Sequence, residues 1–175
     1  TKVNSRYFIA LMLPLPLQEA VEVLKQELEQ THGLRGALRS PAHITLHRPF
    51  SWPEEKESIL LQKLGSFSFG PDFEVTLKDF GFFEPRVIYI HVLPNPALDD
   101  LHERLKWFAM RELKLFNEAE DMRGFHPHIT IANRDLKKPD FYALQPIYTN
   151  RSFGGSFTCS SVSLLKLGHK WRVIQ

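Results

Sequence analysis

Hydrophobic and polar positions change period several times along the chain. Residues 6 to 13 form a β-rich apolar run that Pro14 and Pro16 close, after which the pattern becomes helical. Leu17, Val21, Leu24 and Leu28 recur at i, i+4, i+7 and i+11 with Glu, Lys and Gln between them, which predicts an amphipathic helix ending near Gly33 and Gly36. A basic loop with Arg35 and Arg39 then leads to an extended stretch that begins at His43. Ser51-Trp52-Pro53-Glu54-Glu55 reads as a helix start, with a Ser cap, Pro in the first turn and acids at the positive end of the dipole. That helix is predicted to reach about Leu64.

Further along, Phe73 to Leu77 and Val87 to Val92 alternate as strands do and are joined by a turn at Glu84-Pro85-Arg86, which predicts a hairpin. Leu98, Leu101, Leu105, Phe108 and Phe116 mark one face of a long helix with acids in its first turn and Arg111 and Lys114 in its last. The polar loop Asn117 to Gly124 follows, then a second extended stretch at His128. A short helical segment spans Phe141 to Leu144. Gly154-Gly155 is expected to separate it from a final hairpin, Thr158 to Leu167 and Trp171 to Ile174.

Two of the extended stretches carry the same tetrapeptide pattern: His43-Ile44-Thr45-Leu46 and His128-Ile129-Thr130-Ile131. In a strand alternate side chains share a face, so each copy presents His and Thr together and can bury its two aliphatic groups on the other side. His-x-Thr on a half-buried strand is ordinary once, but typical residue frequencies make a chance pair in a chain of this length roughly a one in a thousand event. The element order also repeats, with one motif per half, except that no opening strand is evident for the second half. An approximate two-fold relation follows, with the motif strands meeting at its axis.

Imidazole titrates near neutral pH, so one copy can be neutral while the other is protonated. With one on each side of a phosphate, the pair can take a proton from an attacking oxygen and give one to the departing oxygen without a metal. The threonine hydroxyls can donate to the non-bridging oxygens. His47 and His126 lie four residues after His43 and two before His128, and are candidate substrate contacts on the same faces. Together the four histidines also raise the rival reading of a metal site, against which no Asp or Glu stands in either motif. Alternation puts Arg134 on the His128 face as a candidate phosphate contact, and Lys166, on a closing strand, is a weaker one. Tyr7, Phe8, Phe50, Trp52, Tyr89 and Phe125 are candidates for base stacking, or for filling the core.

The paired tetrapeptides, with the opening strand Arg6 to Leu11, the run Phe125 to Ala132 and the closing strands that end in Trp171-Arg172-Val173, resemble the signatures of the two-histidine phosphoesterase superfamily, which includes the 2',5' RNA ligase-like RNA 2',3'-cyclic phosphodiesterases. The chain departs from many members after the first motif, where it reads His47-Arg48-Pro49-Phe50. The resemblance implies a single α+β domain over residues 1–175. Its two intertwined lobes are two antiparallel sheets flanking a central groove, with helices outside. It implies catalysis by His43 and His128, phosphate binding by Thr45 and Thr130, and no cofactor or metal. The expected substrate is an RNA end or small nucleotide with a 2',3'-cyclic phosphate, opened to a 2'-phosphate, with 2',5' ligation as the reverse of a related cleavage. A nucleotide-binding module without turnover is the alternative.

Composition narrows the partners. The 22 basic and 20 acidic residues leave a net charge of +2, without the excess of a protein that grips a long nucleic-acid backbone, so a short or small phosphorylated ligand fits better. The one cysteine, Cys159, has no internal disulfide partner and suits a reducing compartment. The apolar run from Phe8 to Leu13 is too short for a membrane span, so a soluble, cytoplasmic protein is expected; a monomer is the expected state.

Overall fold

The computed structural model describes residues 3–120 and 122–175; Asp121, inside the polar loop predicted before the second motif, lies outside the described residues. Eight strands form two four-stranded antiparallel sheets, with four α-helices around them. The strands are β1 (Asn4–Met12), β2 (His43–Pro53), β3 (Phe73–Phe83), β4 (Val87–Val92), β5 (His128–Ala132), β6 (Gly154–Cys159), β7 (Ser163–Leu167) and β8 (Trp171–Val173). The helices are α1 (Leu15–His32), α2 (Glu57–Gly65), α3 (Pro96–Phe108) and α4 (Lys138–Thr149).

One sheet has the order β2-β1-β7-β8 and the other β5-β4-β3-β6. Each motif strand is therefore the edge of its own sheet, and the two edges approach each other. β1-α1-β2 in the first half is matched by β4-α3-β5 in the second, with the same antiparallel pairing of outer and inner strand. The second half thus has an opening strand after all, namely β4. Helices pack across the pseudo-axis: α1 touches β5, and α3 touches β2.

Local chemistry accounts for the main elements. In α1 the predicted stripe is buried at Val21, Leu24 and Leu28, and the helix ends where Gly33 takes a left-handed φ of 69° and its N–H reaches the Glu29 carbonyl. In α3, Asn95 caps the first turn by accepting from the Leu98 N–H at 3.0 Å, and Pro96 occupies a position whose N–H would be unpaired anyway. One apolar core runs through both sheets, drawing on Ile9 and Leu11 of β1, Ile44 and Leu46 of β2, Ile88 and Ile90 of β4, and Ile129 and Ile131 of β5.

Several predicted boundaries change. Ser51-Trp52-Pro53 ends β2, paired with Arg6, Ser5 and Asn4, so the helical segment begins after it, as a 3-10 turn over Glu54–Lys56 that leads into α2 at Glu57. The cap signal there loses to strand pairing with a segment distant in sequence. α3 stops at Phe108, widens into a π-type turn over Ala109–Leu113 and ends at left-handed Lys114, leaving Phe116 outside. Gly154 and Gly155 lie inside β6 rather than before it, and Thr158 to Leu167 is divided between β6 in one sheet and β7 in the other. The closing strands β7 and β8 complete the sheet of the opening strand, so the two lobes exchange chain.

Candidate active site

β2 and β5 present His43 with Thr45 and His128 with Thr130 toward the gap between the sheets, while Ile44, Leu46, Ile129 and Ile131 are buried. The two histidines are held in the same way. Each Nδ1 lies 2.7 Å from the carbonyl oxygen of the residue two positions earlier, Pro41 for His43 and His126 for His128. A carbonyl can only accept, so each Nδ1 donates, and in the neutral ring Nε2 is left as the free acceptor. Two imidazoles thus share one tautomer by main-chain geometry alone.

Both rings are half-buried, and desolvation dominates their titration. It pushes His43 down to about 4 against the pull of the Pro41 hydrogen bond, with Lys25 and His128 adding positive-charge repulsion. His128 is lowered too, by burial first and then by neighbouring His126. Both shifts favour the uncharged imidazole at neutral pH, and a positive charge on His128 would lower His43 further.

Two chambers flank the motifs. The smaller, about 170 Å³, is bounded by His43, Thr45, Thr130, Arg39, Arg134 and Trp171, among others. The larger, about 640 Å³, lies on the His128 side and includes Thr45, Arg48, Arg86, Arg123, Phe83 and Phe125. Thr45 belongs to both and marks their junction. Arg134 reaches the small chamber, but not by strand alternation: β5 ends at Ala132, and Arg134 adopts a left-handed φ of 49° in the turn that follows. In that turn Asp135 bonds the backbone N–H groups of Arg35 and Gly36, which ties the exit of the second motif to the entry of the first.

The remaining candidates separate. Tyr89 pairs with Thr130 across β4 and β5, lies 5.2 Å from the His128 ring, and its hydroxyl is 3.2 Å from Nε2 of exposed His126. Phe125 stacks on His102 at 3.9 Å, and Phe8 packs against His43 at 4.7 Å. Tyr7 and Phe50 face the core, and Trp52 spends its indole N–H on the Lys56 carbonyl. Lys166 is buried in ion pairs with Glu54 and Glu57 at 2.8 and 2.7 Å, which raise its pKa, and it is not a groove residue.

His47 is a correction. The register of β2 against β1 slips between Thr45 and His47, so Leu46 and His47 are both buried and the alternation is reset. His47 is fully buried beside Phe50, its Nδ1 donating to the Arg48 carbonyl and its Nε2 unpaired. It does not share the groove with His43, and the four-histidine cluster is not assembled. Sequence reading also passed over Trp171, Ser40, Asn133, Phe83, Arg48, Arg86 and Arg123, which reach the chambers through loops and non-local pairing.

The profile of the 2'-5' RNA ligase superfamily matches residues 13–171. The chain belongs to that superfamily, the two-histidine phosphoesterases. Among curated superfamily relatives, a protein of Geobacillus sp. strain WCH70 that carries a provisional phosphoesterase name is 30% identical over 139 residues, covering 78% of this chain and 73% of its own. A similarly named protein of Geobacillus kaustophilus is 29% identical over 139 residues, with the same coverage of both chains. The fold matches E. coli LigT complexed with 3'-AMP at a TM-score of 0.73 and 23% identity, over 99% of this chain and 97% of that one. It also matches the TT0787 protein of Thermus thermophilus at 0.66 and 21%, over 97% and 95%.

Proposed function

We propose that this superfamily member is a phosphodiesterase that opens 2',3'-cyclic phosphates at RNA ends or on nucleotides to 2'-phosphates, using two histidines and no metal. The observation that carries the reading is the matched pair of Nδ1-to-carbonyl hydrogen bonds at His43 and His128, which leaves one Nε2 on each facing edge strand for proton transfer. Nε2 of neutral His128 takes a proton from water as the water oxygen attacks phosphorus. The bond from phosphorus to the 3' oxygen breaks, and protonated His43 gives its proton to that oxygen. This assignment of acid and base follows the superfamily resemblance. An anionic phosphate between the two histidines favours the protonated imidazole that burial alone disfavours.

Thr45 and Thr130 donate hydrogen bonds to the non-bridging oxygens, and Arg39 and Arg134 add positive charge at the small chamber. The larger chamber is in the size range of small-ligand sites and combines arginines with aromatic walls, which suits a nucleotide unit beside the scissile phosphate. The matched E. coli protein has been solved with 3'-AMP and with ATP, which is compatible with that reading. A nucleotide-binding module without turnover is the competing reading. A pure anion binder gains nothing from two uncharged, tautomer-fixed imidazoles. Turnover assays on 2',3'-cyclic nucleotides, run beside binding titrations of the same ligands, decide between the two: binding without product would overturn the proposal.

A further inference from the structure

The two motifs are alike in sequence and in main-chain geometry, but they are not backed alike. Behind His43, the three residues that lead into β2 have their carbonyls engaged one after another. Lys25 of α1 donates its ammonium to the Ser40 carbonyl at 2.9 Å, His43 donates to Pro41, and the Gln18 side-chain amide donates to Ala42. Gln18 also accepts from the Ala42 N–H at 3.0 Å, so it grips that residue from both sides.

Lys25 is 2 % exposed. A lysine this buried is uncommon, and apolar residues of similar volume often replace buried charges with no loss of stability, so packing alone does not explain it. It lies on the stripe of α1 that the apolar positions Val21, Leu24 and Leu28 define. Desolvation lowers its pKa to about 8, Glu22 on the same helix opposing, so the charge persists at neutral pH. The charged and titratable groups around His43 are Lys25 from α1 and His128 from β5, with Arg39 and Arg134 on the walls of the same chamber. His128 is bordered instead by Tyr89, Phe83 and His126.

We propose that Lys25, supported by Gln18, is a positioning residue for His43: it holds the Ser40–Ala42 approach from behind and sets a fixed positive charge beside one of two otherwise equivalent histidines. The inference rests on the reading of His43 as the acid. The buried ammonium disfavours protonation of His43 in the ligand-free protein, so the proton that His43 donates is acquired only with the anionic phosphate bound, and once there it is held less tightly than it would be without Lys25; the pair in this way breaks the symmetry of the motifs.

NMR titration of the imidazole resonances in the ligand-free protein tests this without relying on turnover. Lys25→Met and Lys25→Gln, the second of which can still reach Ser40, are each expected to raise the His43 titration by roughly half a unit or more, about threefold in proton affinity, with His128 unmoved. The limb of the rate–pH profile that belongs to His43 moves with it. Gln18→Leu is expected to lower kcat while the His43 titration stays in place. An unmoved His43 in both Lys25 variants overturns the proposal, as does movement in Lys25→Met alone, which would assign the effect to the hydrogen bond. Loss of cooperative unfolding in both variants would assign Lys25 to the fold and also overturn it. If the protein turns over no cyclic phosphate while His43 still shifts, the functional reading fails and the electrostatic link stands.

Discussion

The ring of Tyr89 lies directly over Gly81, its partner across β3 and β4, at a separation that leaves no room for a Cβ: one built there would run into the ring carbons and the hydroxyl. The glycine is what lets an aromatic side chain lie flat on the sheet beside Thr130 and His128. From that position the Tyr89 hydroxyl reaches His126, whose carbonyl accepts from His128.

Gly81→Ala is therefore expected to push the Tyr89 ring toward the groove and disturb His128 through His126. We expect turnover of a cyclic phosphate to fall about tenfold or more, the scale of a misplaced catalytic group, while the fold persists. Unchanged kinetics in a folded Gly81→Ala protein would show that the Tyr89 ring is not needed to hold the second motif.

Glu118 anchors the wall of the larger chamber. Its carboxylate accepts from the Arg48 N–H at 2.8 Å, from Arg48 Nε at 3.2 Å and from His102 Nε2 at 3.0 Å. Burial alone would raise its pKa, but these donors outweigh burial and hold it at about 2. Glu118→Ala removes all three bonds and should cost about 3 kcal/mol of stability, the scale for breaking a buried charged network. It should also raise KM more than it lowers kcat, because the chamber wall loosens while the motif strands stay in place. Denaturant unfolding and steady-state kinetics measure the two effects, and a larger loss in kcat would contradict this placement.

Much of this was legible locally. The period of α1, the hairpin of β3 and β4, and the two motifs are visible because each depends on neighbours in sequence. What escaped depends on partners far away. Ser51 to Pro53 carries a helix-start signal but is claimed by β1, and His47 follows the motif spacing but is turned inward by a bulge that only the pairing with Ile9 reveals. Trp171 reaches the small chamber because β8 joins the sheet of the opening strand through β7, and no local pattern announces that. Lys25 reads as one more polar residue on a helix until its surroundings are known.

The depressed histidines also make the fold acid-sensitive. His43, His47 and His128 all have folded-state pKa values below the ordinary imidazole value, so between those values and about 6.5 the unfolded chain binds more protons than the native one. Stability therefore rises with pH through that window and falls on acidification below about 6.5; the His43 contribution levels off near pH 4. His47→Leu should flatten this dependence while keeping activity at neutral pH, because His47 lies outside the groove. Thermal unfolding across that pH range checks it, and an equally steep acid dependence in the variant would show that buried His47 is not a source.

The central claim is that His43 and His128 exchange protons with a phosphodiester held between them. Its most direct test is hydrolysis of an oligoribonucleotide ending in a 2',3'-cyclic phosphate, in the presence of EDTA, by the native protein and by His43→Ala and His128→Ala. The account predicts a 2'-phosphate product from the native protein, undiminished by the chelator, and a loss of at least ~100-fold in each variant with unfolding unchanged. Near-native rates in either folded variant, a 3'-phosphate product, or activity lost to EDTA and restored by zinc or manganese would contradict it.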